Sequence, residues 1–216
     1  MIVDHTNRLY SNKRKKLEAN KYNGAYYYSK DIVKNIIPEL IDKTDRNWIT
    51  VRLPEAGKAH NHSIVFIHNN RNPNYYVYLK QYEDVIAVCS QPKTAENMKF
   101  YADHVIYLPL SVDVKQVEKY KTVKDKTVAF AGRPSKITNQ VPSYADKLTN
   151  LPRYKLLKEI SRYQSLYAVG RTAIEGKILG CKILPYDPLY PNPDFWGIID
   201  NHDAAKILLE KINEID

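Results

Sequence analysis

The chain has only two cysteines in 216 residues, Cys89 and Cys181, each inside an apolar run (VIAVCS and ILGCKILPY). Two thiols on separate strand-like segments do not make a disulfide framework and read as core packing. No apolar run approaches the ~20 residues that a membrane-crossing helix needs. The N-terminus, MIVDHTNRLYSNKRKK, has neither an apolar core region nor a small-residue cleavage site. A cytoplasmic protein without a membrane span is expected. Also absent are GxSxG, a Walker A loop, a CxxC pair and the kinase signatures, so none of those chemistries is signalled. His60-Asn61-His62 stands without cysteine or further ligands nearby and makes a poor zinc site. No metal is expected, and the hairpin-and-helix context of a nuclease is missing.

Positive charge, in contrast, is plentiful. The formal net charge is +9, and the excess is shared by both halves of the chain. Such a surface attracts polyanions, whether nucleic acid, nucleotide phosphates or anionic lipid, without choosing among them. The dense cluster Lys13-Arg14-Lys15-Lys16 reads as a solvated arm more readily than as a phosphate patch. Phe (4) and Trp (2) are scarce but Tyr is abundant at 18. Tyrosines among basic residues can stack nucleic-acid bases. Here they fall within helical or strand patterns, which favours packing.

From about Ser29 the pattern alternates helix and strand. SKDIVKNIIPELI has apolar residues at helical spacing, with Ser29 as N-cap and Pro38 ending or bending the helix. WITVRL, HSIVFIH, VIAVCS and HVIYLPL read as strands, and PNYYVYLKQY and PKTAENMKFYA as helices. After the polar, lysine-rich stretch SVDVKQVEKYKTVKDKT the alternation resumes. TVAFAG, SLYAVG and CKILPYD read as strands, while LPRYKLLKEISRY, TAIEGKILG and NHDAAKILLEKINEI read as helices. Apolar strands alternating with helices indicate parallel sheets covered on both faces. The expected fold is α/β, with two small Rossmann-like units over residues 1–115 and 116–216.

Ligands of open parallel sheets bind outside the carboxyl ends of the strands. After SLYAV, the turn Gly170-Arg171-Thr172 opens a helix, where backbone N–H groups and the positive helix end suit a phosphate. Arg171 adds a guanidinium fork. Glu175, one turn on, has two readings: a carboxylate for a ribose diol, or the far end of a capping box with Thr172. Gly180 fits a helix-stopping C′ position. After TVAFAG, Gly132, Arg133 and Lys136 fall within five residues and suit a diphosphate. His68, after HSIVFI, is either a general base or substrate contact, or a surface turn histidine.

At these turns the sequence resembles GT-B glycosyltransferases, in particular the large retaining family that uses nucleotide sugars. Pro109-Leu-Ser-Val112-Asp113 is similar to that family's linker signature. AFAGRPSK is similar to its first C-domain strand, and VGRTAIEGKILGCKIL to its ribose-binding segment. The resemblance implies a truncated GT-B arrangement. It puts Gly132, Arg133, Lys136, Gly170, Arg171 and Thr172 on the diphosphate, Glu175 on the ribose and His68 toward the sugar. Two departures stand out. Tyr167 occupies the place, eight residues before Glu175, of an acidic residue near the donor sugar. The first domain lacks the usual opening strand and Gly-rich turn, and the chain is short for the family. It is also similar to small proteins encoded by bacteriophages and prophages.

The resemblance implies transfer of a sugar from a nucleotide diphosphate-sugar, with that donor as substrate, no cofactor, and an acceptor the sequence does not name. One alternative is a nucleotide-capturing protein without transfer, which Tyr167 favours. Another is a glycosyltransferase acting on DNA bases, which the positive charge permits.

Overall fold

Short aliphatic and β-branched runs make the strands, and the polar turns between them deliver the chain to helices. The computed structural model describes residues 2–4, 24–51, 60–67 and 73–216. His68 and the Lys13-Arg14-Lys15-Lys16 cluster lie outside these residues. The fold is α/β, with two all-parallel sheets belonging to two compact units. Among the described residues the first unit comprises 2–4, 25–51, 60–67, 73–110 and 201–216, and the second Gly24 and 111–200. No described helix is long and apolar enough to cross a membrane.

The first sheet contains β1 (Ile2–Asp4), β2 (Asn47–Val51), β3 (Ser63–Ile67), β4 (Val85–Cys89) and β5 (His104–Tyr107), side by side in that order. Every residue of β3 and β4 is buried, as continuous apolar strands covered on both faces must be. β1 is an opening strand that the sequence pattern did not reveal. Three residues are too few for alternation to register.

Helix α1 (Gly24–Asp31) runs into a π-helical turn, Ile32–Ile36, and then α2 (Ile37–Leu40). Ser29 is therefore inside a helix and fully buried, not an N-cap. Pro38 does not end the helix. The turn before it widens, with the Ile37 N–H donating to the Ile32 carbonyl, and such a π-bulge absorbs the proline's missing donor. PNYYVYLKQ forms a 3-10 helix over Pro73–Gln81. Helix α3 (Pro92–Met98) then links β4 to β5.

At the amino ends of these strands the buried Arg46 guanidinium donates to Asp84 at 2.9 Å and to Asp216 at 2.5 Å. The His62 ring sits between Asp84 (2.5 Å) and Asp45 (2.7 Å). His62 thus completes a clasp of charges, with its pKa raised by the hydrogen bond to Asp45 and then by that to Asp84.

The second unit opens with α4 (Val114–Glu118), whose N-cap Asp113 accepts from the Gln116 N–H at 2.9 Å. Val112 pairs with Asp200, and the Asp200 carboxylate accepts from the Val114 N–H at 3.0 Å. The lysine-rich stretch is therefore partly ordered, and the unit's two chain crossings are tied together. Its sheet contains β6 (Lys126–Ala131), β7 (Asp146–Leu148), β8 (Tyr163–Tyr167) and β9 (Lys182–Leu184), in the order β7-β6-β8-β9. α5 (Arg153–Ile160) connects β7 to β8, and α6 (Arg171–Ile178) connects β8 to β9.

The last helix, α7 (Asn201–Asn213), departs from the division at residues 115 and 116. It buries Ala204, Ala205, Leu208 and Ile212 and packs against the π-turn and α2 of the first unit, where His202 meets Glu39 at 2.6 Å.

Candidate functional site

The two sheets differ in how the chain winds through them. In the first, each strand lies beside its predecessor, so the winding direction never reverses. In the second, the chain leaves β6 for β7 on one side and then crosses to β8 on the other. That reversal is a topological switch point, and the crevice outside the carboxyl ends of β6 and β8 is where ligands of such sheets bind. Phe130 of β6 is in register with Tyr167 of β8. The turns Gly132-Arg133 and Val169-Gly170-Arg171 therefore begin at the same level, on strands about 5 Å apart.

The β8 turn owes its shape to Gly170, at φ 63 and ψ −144. This region is open in practice to glycine alone. The conformation lets α6 start at once, with the Gly170 carbonyl accepting from Ala173 (3.0 Å) and Ile174 (3.2 Å). The N–H groups of a helix's first turn have no intrahelical acceptor and carry the positive end of its dipole. With Gly170 as N-cap, Thr172 is the second helical residue and no capping box forms with Glu175.

The far end of α6 is closed by a Schellman motif. Cys181 N–H donates to Gly176 at 2.8 Å, Gly180 N–H donates to Lys177 at 2.9 Å, and Gly180 has φ 81. Gly180 is thus the C′ residue that spacing suggested. Gly176 lets the helix lie close on the sheet, since a Cβ there would come within 2.9 Å of Leu166 Cδ2 and 3.0 Å of Ile183 Cδ1.

Glu175 is 2% exposed and engaged from two sides. Its Oε1 accepts from Arg171 Nε at 2.6 Å and also from Arg153 Nη1. The Arg171 and Arg153 side chains are 8% and 18% exposed. Arg153 opens α5 just after β7 and so comes from the same edge of the sheet. The sequence did not single it out, because β7 is hidden in the polar loop RPSKITNQVPSYADK and the strand end before Arg153 went unrecognised.

On the β6 side, Gly132 lies under the Phe130 ring, where a Cβ would meet Cζ at 3.0 Å. Arg133 and Lys136 then bracket a 3-10 turn, Pro134–Lys136, with the Lys136 N–H bonded to the Arg133 carbonyl at 2.9 Å. Both side chains are exposed, and neither forms an ion pair among the described residues. The opposite edge of this sheet is different. There Lys126 pairs with Glu159, and Arg162 pairs with Asp125 and Glu159.

Tyr167 packs with Val128 and Val169 against the buried cluster of Phe130, Val141, Ala145 and Tyr186. Its ring stands edge-on to Tyr186 at 6.5 Å, and Tyr186 stands edge-on to Phe130 at 5.4 Å. Burial pushes the Tyr186 hydroxyl up to about 12, with the Asp187 charge adding to the effect. Tyr167 is held as part of this wall.

Among the described residues no three His, Cys, Asp or Glu side chains gather as a metal site. The chain matches no family model, no curated protein and no solved structure.

Proposed function

We propose that the second unit binds the diphosphate of a nucleotide-sugar at the β6/β8 switch point and that the protein is a glycosyltransferase-like enzyme. The observation that carries this reading is the pairing of two turns at one level of the sheet. One presents Arg133 and Lys136, which have no acidic partner among the described residues. The other presents the N-terminus of α6 behind Gly170. Cations and backbone donors fixed in this way hold a diphosphate, and they stabilise the charge that develops on it as a leaving group. The family resemblance supports the sugar donor, and the shared level of the two turns supports the phosphate site.

A second reading, nucleotide capture without transfer, is favoured by Tyr167. It fills the position of a sugar-facing carboxylate, and its ring is packed against Tyr186 and the Phe130 cluster.

A thermal-shift panel of nucleotides and nucleotide-sugars, followed by donor hydrolysis on any hit, separates the two. Stabilisation lost in Arg133→Ala and in Lys136→Ala, together with turnover, supports the transferase. Stabilisation without turnover supports capture. If no nucleotide shifts the melting temperature, the site is misassigned.

A further inference from the structure

Among the described residues most tyrosines are buried or half-buried. The exceptions are Tyr144, 76% exposed, and Tyr154, 53% exposed. Both flank one element. Tyr144 lies in the turn that enters β7, and Tyr154 lies in the first turn of α5, which follows it. β7 pairs with β6 and ends the sheet on its other side, among the described residues.

Charge is sorted across this sheet in the same sense. Between Gly132 and Glu159 the single acidic residue is Asp146, against Arg133, Lys136, Lys147, Arg153, Lys155 and Lys158. The Asp146 carboxylate is itself engaged, accepting from the Tyr163 hydroxyl at 2.7 Å. After the opposite edge strand, β9, the balance inverts. Pro185 to Asp200 contains Asp187, Asp194 and Asp200 and no lysine or arginine. A polyanion is therefore drawn to the β7 side.

Three of these cations stand apart from the diphosphate site, and none of the three has an acidic partner among the described residues. Lys147, on β7, donates to the Pro142 carbonyl at 2.8 Å, close in sequence to Tyr144. On α5, Leu157 and Ile160 are buried, while Tyr154, Lys155 and Lys158 are exposed. Lys158 is four residues from Tyr154 and three from Lys155, so one ring and two ammoniums are neighbours on the outer face of the helix. Lysine on an edge strand discourages strand pairing, which accounts for Lys147. It does not account for an exposed aromatic ring on either side of the strand.

We propose that the β7 edge of the second unit binds single-stranded nucleic acid, with Tyr144 and Tyr154 stacking on bases and Lys147, Lys155 and Lys158 contacting phosphates. Every base has a face that an aromatic ring can cover, so rings among cations hold a strand without reading its sequence. In a duplex those faces are covered by neighbouring base pairs, and the single strand is the form that fits. The surface lies beyond the diphosphate site proposed above and uses none of its residues.

The test is fluorescence anisotropy of the full chain with labelled strands of about 20 nucleotides, one of thymidine and one of uridine, long enough to cover a single-strand site. Wild type should bind both, more tightly than the thymidine strand annealed to its complement, and the tighter of the two identifies the source as DNA or RNA. Tyr144→Ala and Tyr154→Ala should each weaken binding about fivefold or more, and phenylalanine, which keeps the ring, should restore it. With three phosphate contacts, raising salt from ~50 to ~200 mM should weaken wild type about twentyfold, and Lys155→Ala should lower the salt slope by about 0.7. Full affinity in both alanine variants, or a duplex bound as tightly as the strand, overturns the stacking surface. So does a preference for phosphatidylserine vesicles over either strand, which would make the lysines a membrane contact. A wild type that binds neither strand overturns the proposal outright. Pyrophosphate binding, measured alongside, should weaken in Arg133→Ala and stay unchanged in Tyr154→Ala, so failure here and failure of the diphosphate site are read separately. Loss of pyrophosphate binding in Tyr154→Ala would merge the two sites and overturn a separate surface.

Discussion

Gly170→Ala tests whether the backbone at the start of α6 is shaped for a ligand. At φ 63 and ψ −144, an L-residue with a Cβ is strained by about 1–3 kcal/mol. Alanine narrows the unfolded ensemble and offsets about 0.4–1 kcal/mol of that strain. The net loss is about 1–2 kcal/mol, or roughly 2–8 °C in melting temperature for a chain of this size. The larger effect should be on binding. Relief of the strain rotates the peptide at 170 and turns the first N–H groups of α6 away from the switch point. Charge-assisted hydrogen bonds to an anion are worth ~1.5–3 kcal/mol each, so affinity should drop about tenfold or more.

Gly180→Ala is the control at the other end of the same helix. It also has positive φ, at 81, and the nearest atom to an added Cβ is Lys124 Cε at 3.6 Å. It should cost ~1–2 kcal/mol of stability and leave binding intact. The assay is a urea melt for stability and calorimetry with pyrophosphate for the site. If Gly170→Ala binds as tightly as Gly180→Ala, the strained turn is not part of a phosphate site.

Two further outcomes concern side-chain and backbone packing. Gly176→Ala pits a helix-propensity gain of about 1 kcal/mol against overpacking of ~1–3 kcal/mol. Since the new methyl meets Leu166 at 2.9 Å and Ile183 at 3.0 Å, a net loss is expected in the urea midpoint, and a gain would show the helix free to lift. Arg46→Met removes a guanidinium 3% exposed from two carboxylates each 40% exposed, which predicts a loss of about 2 kcal/mol by chemical denaturation.

The His62 clasp should be pH-sensitive. The raised histidine stabilises below its unfolded pKa of ~6.5, and that contribution fades as pH rises through the folded value. Burial tends to raise the Asp84 carboxyl, but the His62 and Arg46 hydrogen bonds outweigh it and leave its pKa lowered. Its contribution is lost as pH falls through the folded value. The stability gap between wild type and His62→Asn should therefore be widest between about pH 4 and 6.5 and should shrink as pH rises through the raised folded value of His62. The His62 side chain is 40% exposed, so solvent screening keeps the effect below ~1 kcal/mol. A gap that widens with rising pH would contradict the assignment.

Strands with dense aliphatic content were legible as strands because burial on both faces demands continuous apolar runs. VIAVC and SIVFI are the clearest cases. β1 and β7 have three residues each, and Asp146-Lys147-Leu148 looks like a polar loop until pairing with β6 supplies its hydrogen bonds. Missing β7 had a consequence for the site, since it hid both the β7-β6-β8-β9 reversal and Arg153. Strand order is a long-range property that periodicity does not encode. Local backbone chemistry was easier to read. Gly180 as a C′ residue follows from glycine's tolerance of positive φ. Glu175 was open between two local readings, and the geometry adds a third partner set, because Arg153 is distant in sequence. The return of α7 to the first unit was equally invisible, since its apolar face fits either unit by pattern alone. His68 follows β3 directly, outside the described residues.

The most direct measurement is calorimetric titration of the wild-type chain, Arg133→Ala and Lys136→Ala with uridine and guanosine diphosphates at low and at high salt. Expected is saturable one-site binding by wild type, weakened about tenfold in either variant and further weakened by salt. Absence of binding by wild type, or affinities indifferent to both substitutions, would contradict a diphosphate site at the β6/β8 switch point.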